Sequence, residues 1–310
     1  MKSVILFIFI YVLAIPAYCQ YAPGGSLFSV DSLGACQGVS KINGRVYLYG
    51  DRETGIIREY EYKDNALVYT NKECRFTVGE NNIINHPTGI AYCGGEAFIG
   101  NSIRDVENPQ KWMATIYHIN WDKLLETQTL DKSLIHTITD DLAIQGTRPE
   151  YIEYNGERFV ATSDYGNNGN EVRLYRYDLL QKVSKTSESD VLYDKFPCTP
   201  WVQNLHWIAD QNILILVQNR EEGRKWRLTL LDLEKSLETH KESIIQIIDF
   251  ENRDELEGFC LLSNSKGMAV SSSRRNNVLI FDFDLSWKIR CKLTPFVDSN
   301  CPVKVNFRDM

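Results

Sequence analysis

The sequence predicts an all-β fold, a β-propeller of about five four-stranded blades, and three observations lead to that prediction. A hairpin of two short strands recurs along the chain, a strongly alternating strand follows each hairpin, and a weaker fourth strand closes each unit. No sustained helical periodicity interrupts the pattern. Such units fit blades around a common axis, because radial repetition leaves only short sheet edges exposed.

The hairpins recur at intervals of roughly fifty to sixty residues, which indicates a repeat architecture. Each has a short strand, a turn, a second strand and a polar stop, and together they span residues 37–51, 87–101, 149–164, 203–219 and 256–273. The third strands are predicted at 56–62, 114–121, 171–179, 226–233 and 277–283, and the fourth at 66–70, 134–139, 190–193, 244–249 and 288–293. Short helical turns are predicted at 121–126 and 233–238. Segments 26–32 and 302–307 remain, and they either close the ring or form part of a sixth blade.

The first residues have the pattern of a signal peptide. Lys2 precedes an apolar run from Val4 to Ala17, and a small-residue site precedes Gln20. We therefore expect a signal peptide at 1–19, a single propeller domain at 20–310, and a protein that is secreted, extracellular or periplasmic. An uncleaved anchor and a lipid anchor on Cys19 are the alternatives. After cleavage no stable membrane span is expected.

Charge and cysteine usage narrow the class of partner. The formal net charge is −7, and the basic residues are scattered among acidic ones, so a nucleic-acid partner is not expected. No two cysteines are spaced as a CxxC pair, so a zinc site formed by thiolates is not indicated. The cysteines after Cys19 either form a few disulfides, with Cys291 and Cys301 closest in sequence, or pack as small apolar residues.

One mouth of the central channel should collect polar side chains from every blade. Antiparallel strands reverse direction at each turn, so the start of strand one and the end of strand two meet there if strand one is innermost. The strand starts contribute Gln37, Thr88, Glu150, Asn204 and Glu257, and the strand ends contribute Asp51, Asn101, Asp164, Asn219 and Ser273. All of these side chains carry oxygen, which is the ligand atom that Ca²⁺ prefers. A wet polar channel with ordinary turn-forming residues is the alternative.

Arginine and tryptophan side chains near this mouth suggest ligand contacts. Arg52, Arg220 and Arg274 follow the strand ends, where they either clamp a carboxylate, phosphate or uronic acid or pair with neighbouring acids. Trp207 belongs to a group with Trp201 and Trp226 that either stacks a sugar or packs between blades.

His86 and His206 flank the first strands of blades two and four, so both are expected near this mouth. Either one, His86 above all, suits general base catalysis there unless it is purely structural. The sequence contains no GxSxG elbow and no glycine-rich phosphate loop, so classical serine hydrolysis and nucleotide binding are not expected.

Two strand starts, 87–91 (PTGIA) and 256–259 (LEGF), resemble those of NHL-repeat and gluconolactonase/paraoxonase-like propellers. In the gluconolactonase-like group, inner-strand Glu, Asn and Asp side chains hold a catalytic divalent metal at the channel mouth. The resemblance therefore implies metal ligands at Glu257, Asn101, Asp164, Asn204 and Asn219. Those relatives usually have six blades, whereas five repeats are counted here. Their metal ligands also vary less in strand position than these five residues do.

Three functions compete at this point. The first is a non-catalytic secreted propeller that binds a glycan, a small molecule or an extracellular protein at its loop-bearing face. The second is a metal-dependent hydrolase, lactonase or lyase, with Glu257 or His86 as the base and Ca²⁺ as the Lewis acid. The third is a structural scaffold in an envelope complex. Because a fold does not determine a function, only the geometry and chemistry of the site can distinguish these three functions.

Overall fold

The chain forms five four-stranded antiparallel sheets, and each sheet is one blade of a β-propeller. The computed structural model describes residues 25–221, 223–252 and 254–283. The first strand of each blade lies innermost, and these first strands contact one another in a closed ring around the axis. The predicted fold class and blade number are confirmed.

In blades one to four the strands follow the chain order. After β1 (Gly25–Phe28), blade one contains β2 (Cys36–Ile42), β3 (Arg45–Gly50), β4 (Ile56–Lys63) and β5 (Ala66–Arg75). A small hairpin, β6 (Thr77–Val78) and β7 (Asn81–Asn82), leads to blade two, which contains β8 (Pro87–Cys93), β9 (Glu96–Arg104), β10 (Trp112–Asn120), helix α1 (Trp121–Thr127) and β11 (Leu134–Thr139). Blade three contains β12 (Glu150–Tyr154), β13 (Glu157–Ser163), β14 (Glu171–Arg176), helix α2 (Tyr177–Leu180) and β15 (Leu192–Pro197).

Blade four contains β16 (Val202–Ile208), a 3-10 turn (Ala209–Gln211), β17 (Ile213–Glu221), β18 (Arg224–Asp232), helix α3 (Leu233–Thr239) and β19 (Ile244–Asp249). Blade five contains β20 (Leu256–Ser263), β21 (Lys266–Ser271) and β22 (Val278–Asp282). None of the helices in the described ranges is long and apolar enough to cross a membrane.

Two-residue turns join the inner strands where asparagine and glycine stand together. Asn43 and Gly44 have φ values of 50° and 79°, and Asn155 and Gly156 have values of 53° and 77°. Positive φ at both positions matches the turn whose twist suits a two-residue hairpin, and Asn and Gly adopt it most readily. The turns read from the sequence therefore set where these inner hairpins reverse.

Helices α1 and α3 confirm the predicted helical turns. The side chain of Asn120 accepts a hydrogen bond from Lys123 N, and that of Asp232 accepts one from Lys235 N, so each helix begins at a side-chain cap. The predicted strand 171–179 is shorter than expected, because the chain turns into α2 at Tyr177.

The ring is closed by the N-terminal strand. β1 pairs antiparallel with β22, from Gly25 opposite Phe281 to Phe28 opposite Val278, and is the outermost strand of blade five. This corrects the expectation that 288–293 supplies that strand. Segments 288–293 and 302–307, the signal-peptide region 1–19, Cys291 and Cys301 lie outside the described residues.

The hydrophobic core is divided into separate clusters, one between each pair of neighbouring blades. Trp121 lies in the cluster between blades one and two, and Trp226 lies in the cluster between blades four and five. Cys36, Cys74 and Cys260 are buried free thiols, and the described residues contain no disulfide. Blade-to-blade packing therefore holds the ring together, because each cluster needs both of its neighbours.

Three glycines allow the inner strands to approach closely around the axis. A Cβ on Gly258 would lie 2.8 Å from the Cα of Gly38, and a Cβ on Gly89 would lie 2.7 Å from the carbonyl oxygen of Pro149. A Cβ on Gly38 would overlap the ring of Tyr49, which reaches past this glycine from β3. The Tyr49 hydroxyl then accepts a hydrogen bond of 2.7 Å from Asn204 Nδ2, which joins blade one to blade four across the channel.

Replacing Gly38 with alanine should destabilise the protein by about 1–3 kcal/mol, because the new methyl group forces Tyr49 out of its packed position. Urea unfolding measures this cost. In the double variant Gly38→Ala, Tyr49→Leu the part of the cost that comes from the overlap should disappear, while the backbone strain of alanine at a φ of 158° remains. Strictly additive effects of the two substitutions would show that the overlap does not exist.

Candidate functional site

The starts of the first strands and the ends of the second strands lie at the same end of each blade. Strand pairing sets Cys36 opposite Gly50, Pro87 opposite Asn101, and Leu256 opposite Ser271. We call this end of the propeller the loop face, and its central opening the front mouth. The opposite end, where the inner hairpins turn, is the back of the propeller.

Two of the predicted mouth residues lie deeper than the sequence indicated. Glu150 is opposite Ala161 and Asn204 is opposite Val217, so neither is level with the strand ends. Counted back from the hairpin turns, both occupy the position of Gly38 in blade one. In blade three the chain already enters the channel at Arg148, two residues before Glu150, and this is why Glu150 lies deeper. Asn204 therefore bonds Tyr49 at the axis, and Glu150 lines a pocket at the back.

The residues at the strand-two ends hold the loop backbone. In each case a side-chain oxygen accepts a hydrogen bond from a backbone N–H: Asp51 from Ala35 (2.9 Å), Asn101 from His86 (2.9 Å), Asp164 from Ile144 (2.7 Å) and Gln145 (2.8 Å), and Asn219 from Leu256 (3.1 Å). Ser273 donates to Asp254 in the same region. These polar stops fix the paths of the loops, because a buried N–H left without an acceptor is costly.

Asp164 has a further structural role. Its second oxygen forms a buried ion pair of 2.7 Å with Arg173 on β14. Removing one partner of such a pair leaves an uncompensated buried charge, which typically costs about 3–5 kcal/mol.

Thr88 is buried, and its hydroxyl donates to the carbonyl oxygen of Thr147 at 2.5 Å, which ties blade two to the loop before blade three. Thr88 therefore contributes to blade contact at the front mouth.

Arg148 occupies the centre of the front mouth, although the sequence did not single it out. Its guanidinium is buried, and it makes only two long hydrogen bonds, to Gln145 O (3.4 Å) and to Gln203 Oε1 (3.5 Å). Its Nε has no partner among the described residues, and the group lies 5.4 Å from the ring centre of Tyr165. Burial lowers the pKa of Arg148 to about 10, so the side chain still carries its charge at neutral pH.

Glu257 lies beside Arg148 and is only 4% exposed. Burial raises the pKa of Glu257 well above its usual range, the nearby Glu255 and Asp51 raise it further, and Arg148 opposes the shift. Glu257 therefore holds its proton to higher pH than an ordinary glutamate does. A neutral carboxyl of this kind can donate as well as accept a hydrogen bond.

The rim of the front mouth is a network of acids, amides and aromatic rings. Glu255 accepts hydrogen bonds from Gln203 Nε2 (2.5 Å) and from Tyr165 Oη (2.9 Å). The ring of Trp201 stands edge-on to Tyr165 at 5.5 Å. Trp201 has a φ of 63°, a left-handed conformation that is uncommon for a bulky residue and is found where the surroundings hold a side chain in place.

Two further predicted residues line this rim. Gln37 donates to Asp51 at 3.2 Å. His86, which is 37% exposed, has its Nδ1 3.6 Å from Asp51.

Two of the three predicted rim arginines form ion pairs. Arg52 pairs with Glu73 at 2.9 Å, and Arg220 pairs with Glu251 at 3.0 Å and with Asp249 at 3.5 Å. Arg274 is exposed and pairs with no residue in the described part of the chain. Arg274 is thus the rim arginine that remains unpaired for a ligand.

The predicted metal ligands make other contacts within the protein. Within residues 25–221, 223–252 and 254–283, no group of three or more His, Cys, Asp and Glu side chains is arranged to hold a metal ion. Asn101, Asp164 and Asn219 hold backbone N–H groups, Asn204 lies at the axis, and Glu257 lies beside Arg148. A bound Ca²⁺ stays a prediction.

Trp207 lies at the back of the propeller. It lines a pocket of about 200 Å³ together with Glu150 and His206. The structure thus brings two predicted ligand-binding residues, Glu150 and Trp207, together at the opposite end of the channel from Gln37.

A larger groove of about 750 Å³ lies beside blade two on the loop face, where it is lined by Trp112, Met113 and Ile144 among others.

Comparisons with solved structures found similar chains at low sequence identity. The chain is similar to hydrazine synthase from Kuenenia stuttgartiensis (8% identity, TM-score 0.42, 78% of this chain and 58% of that chain) and to the WD40 repeats of RRP9 (8% identity, TM-score 0.46, 84% of this chain and 99% of that chain). A computationally designed protein, Ika8, is similar at 10% identity and a TM-score of 0.36, over 80% of this chain and 71% of that chain. At these values the likenesses carry no functional argument.

No protein-family model and no curated protein matches the sequence, so the NHL-repeat and gluconolactonase-like resemblance remains a prediction.

The proton held by Glu257 has a measurable effect on stability. Above the ordinary glutamate pKa of ~4.3 the unfolded chain releases this proton while the folded protein retains it, so native stability falls as pH rises toward the folded pKa. Glu257→Gln removes this loss. Its stability relative to the native protein should therefore rise across that pH range in urea unfolding. The exposed Glu153→Gln is the control, and parallel stability curves for native protein and Glu257→Gln would contradict the assignment.

Proposed function

We propose that this chain is a secreted, non-catalytic propeller that binds a glycan at the front mouth. The observation that carries the proposal is Arg148, a buried guanidinium with an Nε that no described residue bonds and with only two long hydrogen bonds at its other nitrogens. A buried cation that lacks partners is costly. Oxygen atoms of a ligand in the front mouth would supply the missing acceptors.

The surroundings of Arg148 suit a polyhydroxyl ligand. Glu257 offers a neutral carboxyl, Gln203 and Glu255 offer further acceptors, and the rings of Tyr165 and Trp201 form an apolar ledge at the rim. Sugars present hydroxyls that both donate and accept, together with apolar C–H faces. A few convergent polar groups beside aromatic surface are typical of small-ligand sites. The unpaired Arg274 gives the same face a point of contact for an acidic sugar.

Export is part of this proposal and is supported by the sequence at 1–19. Glycans of the cell surface and the extracellular matrix are accessible to an exported protein. An extracellular protein partner on the same loop face is the alternative outcome of the binding test below.

Binding to a glycan array that includes neutral and uronic-acid sugars should give a defined set of ligands for the native protein. Arg148→Lys keeps the charge but loses the planar fork, so it should weaken binding by about tenfold or more. Trp201→Asn removes the ring while accepting the left-handed backbone, and should weaken binding by roughly fivefold.

Trp112→Asn is the matched control, because Trp112 is a part-exposed tryptophan on the same face but away from the front mouth. It should leave glycan affinity unchanged. An array without any ligand, or equal losses for Trp201→Asn and Trp112→Asn, would refute glycan binding at this mouth.

A hydrolase, lactonase or lyase is the second candidate, and the raised pKa of Glu257 is the observation that favours it. A carboxyl that keeps its proton to higher pH than an ordinary glutamate suits a general acid. If lactones or glycosides are turned over, Glu257→Gln should lower kcat by at least about a hundredfold while leaving substrate affinity nearly unchanged. Full activity in Glu257→Gln, measured with and without added Ca²⁺, would remove Glu257 from the reaction.

A further inference from the structure

The pocket at the back of the propeller is separate from the front mouth. We call it the back pocket, and it occupies about 200 Å³ between the later halves of the inner strands β2, β8 and β16. Liquid water fills about 30 Å³ per molecule, so the back pocket has room for about seven waters or one small organic molecule. The hydrogen bond between Tyr49 and Asn204 crosses the channel between the back pocket and Arg148.

Glu150 supplies an acidic group to this pocket without any cationic partner. The inner strands surround it, and the surface that it keeps exposed faces the pocket. Among the described residues it forms no ion pair, and its carboxyl receives only the backbone N–H of Tyr151. Burial raises the pKa of Glu150 well above its usual range, because burial penalises the charged form of the carboxyl.

The neighbouring basic residues do not satisfy Glu150. His206 Nε2 accepts a hydrogen bond of 3.3 Å from Leu261 N, so the neutral ring carries its proton on Nδ1. Burial lowers the pKa of His206 to about 4, so the ring is uncharged at neutral pH. Lys41 extends to the carbonyl oxygen of Leu262, 2.6 Å from its Nζ, toward blade five.

Part of the back-pocket wall is aromatic, and aliphatic side chains and Lys41 line much of the rest. Tyr92, Tyr151 and Trp207 line it together with His206. The negative faces of such rings attract organic cations, and tryptophan does so best. The indole N–H of Trp207 is buried and has no acceptor among the described residues, so Trp207 contributes its ring rather than a donor to the pocket.

We propose that the back pocket binds a small organic ammonium ion, with its charge against Glu150 and its alkyl groups against Tyr92, Tyr151 and Trp207. The ligand provides the positive charge that Glu150 lacks. An anionic ligand would meet Glu150, and a purely apolar one would leave Glu150 without a partner. This site is independent of glycan binding at the front mouth.

Isothermal titration with choline tests the proposal on the full-length mature protein. Choline should bind, whereas its neutral isostere, in which carbon replaces the charged nitrogen, should bind at least about tenfold more weakly. Glu150→Gln preserves the shape but cannot lose a proton to become an anion beside the ligand, and should weaken choline binding by about tenfold to a hundredfold. Tyr92→Leu should also weaken it, because an apolar wall of similar reach has no attraction for a cation.

Glu153→Gln is the matched control, since Glu153 lies on the same strand with an exposed side chain. It should leave choline affinity unchanged. The proposal is overturned if choline and its neutral isostere bind equally, if choline does not bind, or if Glu150→Gln binds choline as the native protein does. A thermal melt of each variant without choline shows whether that variant is folded at the temperature of the titration, so that a loss of binding is not mistaken for unfolding.

Discussion

The hydrogen bond between Tyr49 and Asn204 is the interaction on which the organisation of the channel depends. It joins the first and fourth blades across the axis at 2.7 Å, at a level where Gly38 gives Tyr49 room to pass between the inner strands. Burial raises the pKa of Tyr49, so the hydroxyl stays protonated and can also donate. With this bond in place, the polar groups of the channel fall into two sets, one around Arg148 and Glu257 and one around Glu150.

The two sets have different chemistry because their neighbours differ. At the front mouth a fixed positive charge is close to several acids, which favours a ligand with many hydroxyls. In the back pocket a single acid is surrounded by aromatic rings and a neutral histidine, which favours a cation. A propeller of five blades has a narrow axis, and a single layer of side chains is therefore enough to separate its ends.

Much of the fold was predictable from the sequence, because hairpin turns and alternation are local signals. Asn43-Gly44 and Asn155-Gly156 define their turns, and the caps at Asn120 and Asp232 define two helices. Ring closure by β1 was only one of two alternatives, because pairing between residues about 250 apart leaves no local trace.

The candidate site was harder to predict than the fold, because it depends on depth within the channel. The first strand of blade three was aligned by its start, which put Glu150 at the front mouth and left Arg148 out. When the strand is aligned by its hairpin turn instead, Arg148 is level with Cys36 and Glu150 is level with Gly38. The hairpin turns can be recognised in the sequence, so this alignment can be made from the sequence alone. The side-chain oxygens of Asn101, Asp164 and Asn219 are of a type that can bind a metal ion. Only the three-dimensional contacts show that these oxygens accept hydrogen bonds from backbone N–H groups.

A high-resolution crystal structure of the mature protein, with its ordered waters refined, tests the division of the channel most directly. We expect two water clusters, one in contact with Arg148 and Glu257 and the other with Glu150, and no water between them where Tyr49 meets Asn204. A continuous file of waters along the axis, with Tyr49 turned away from Asn204, would contradict the account.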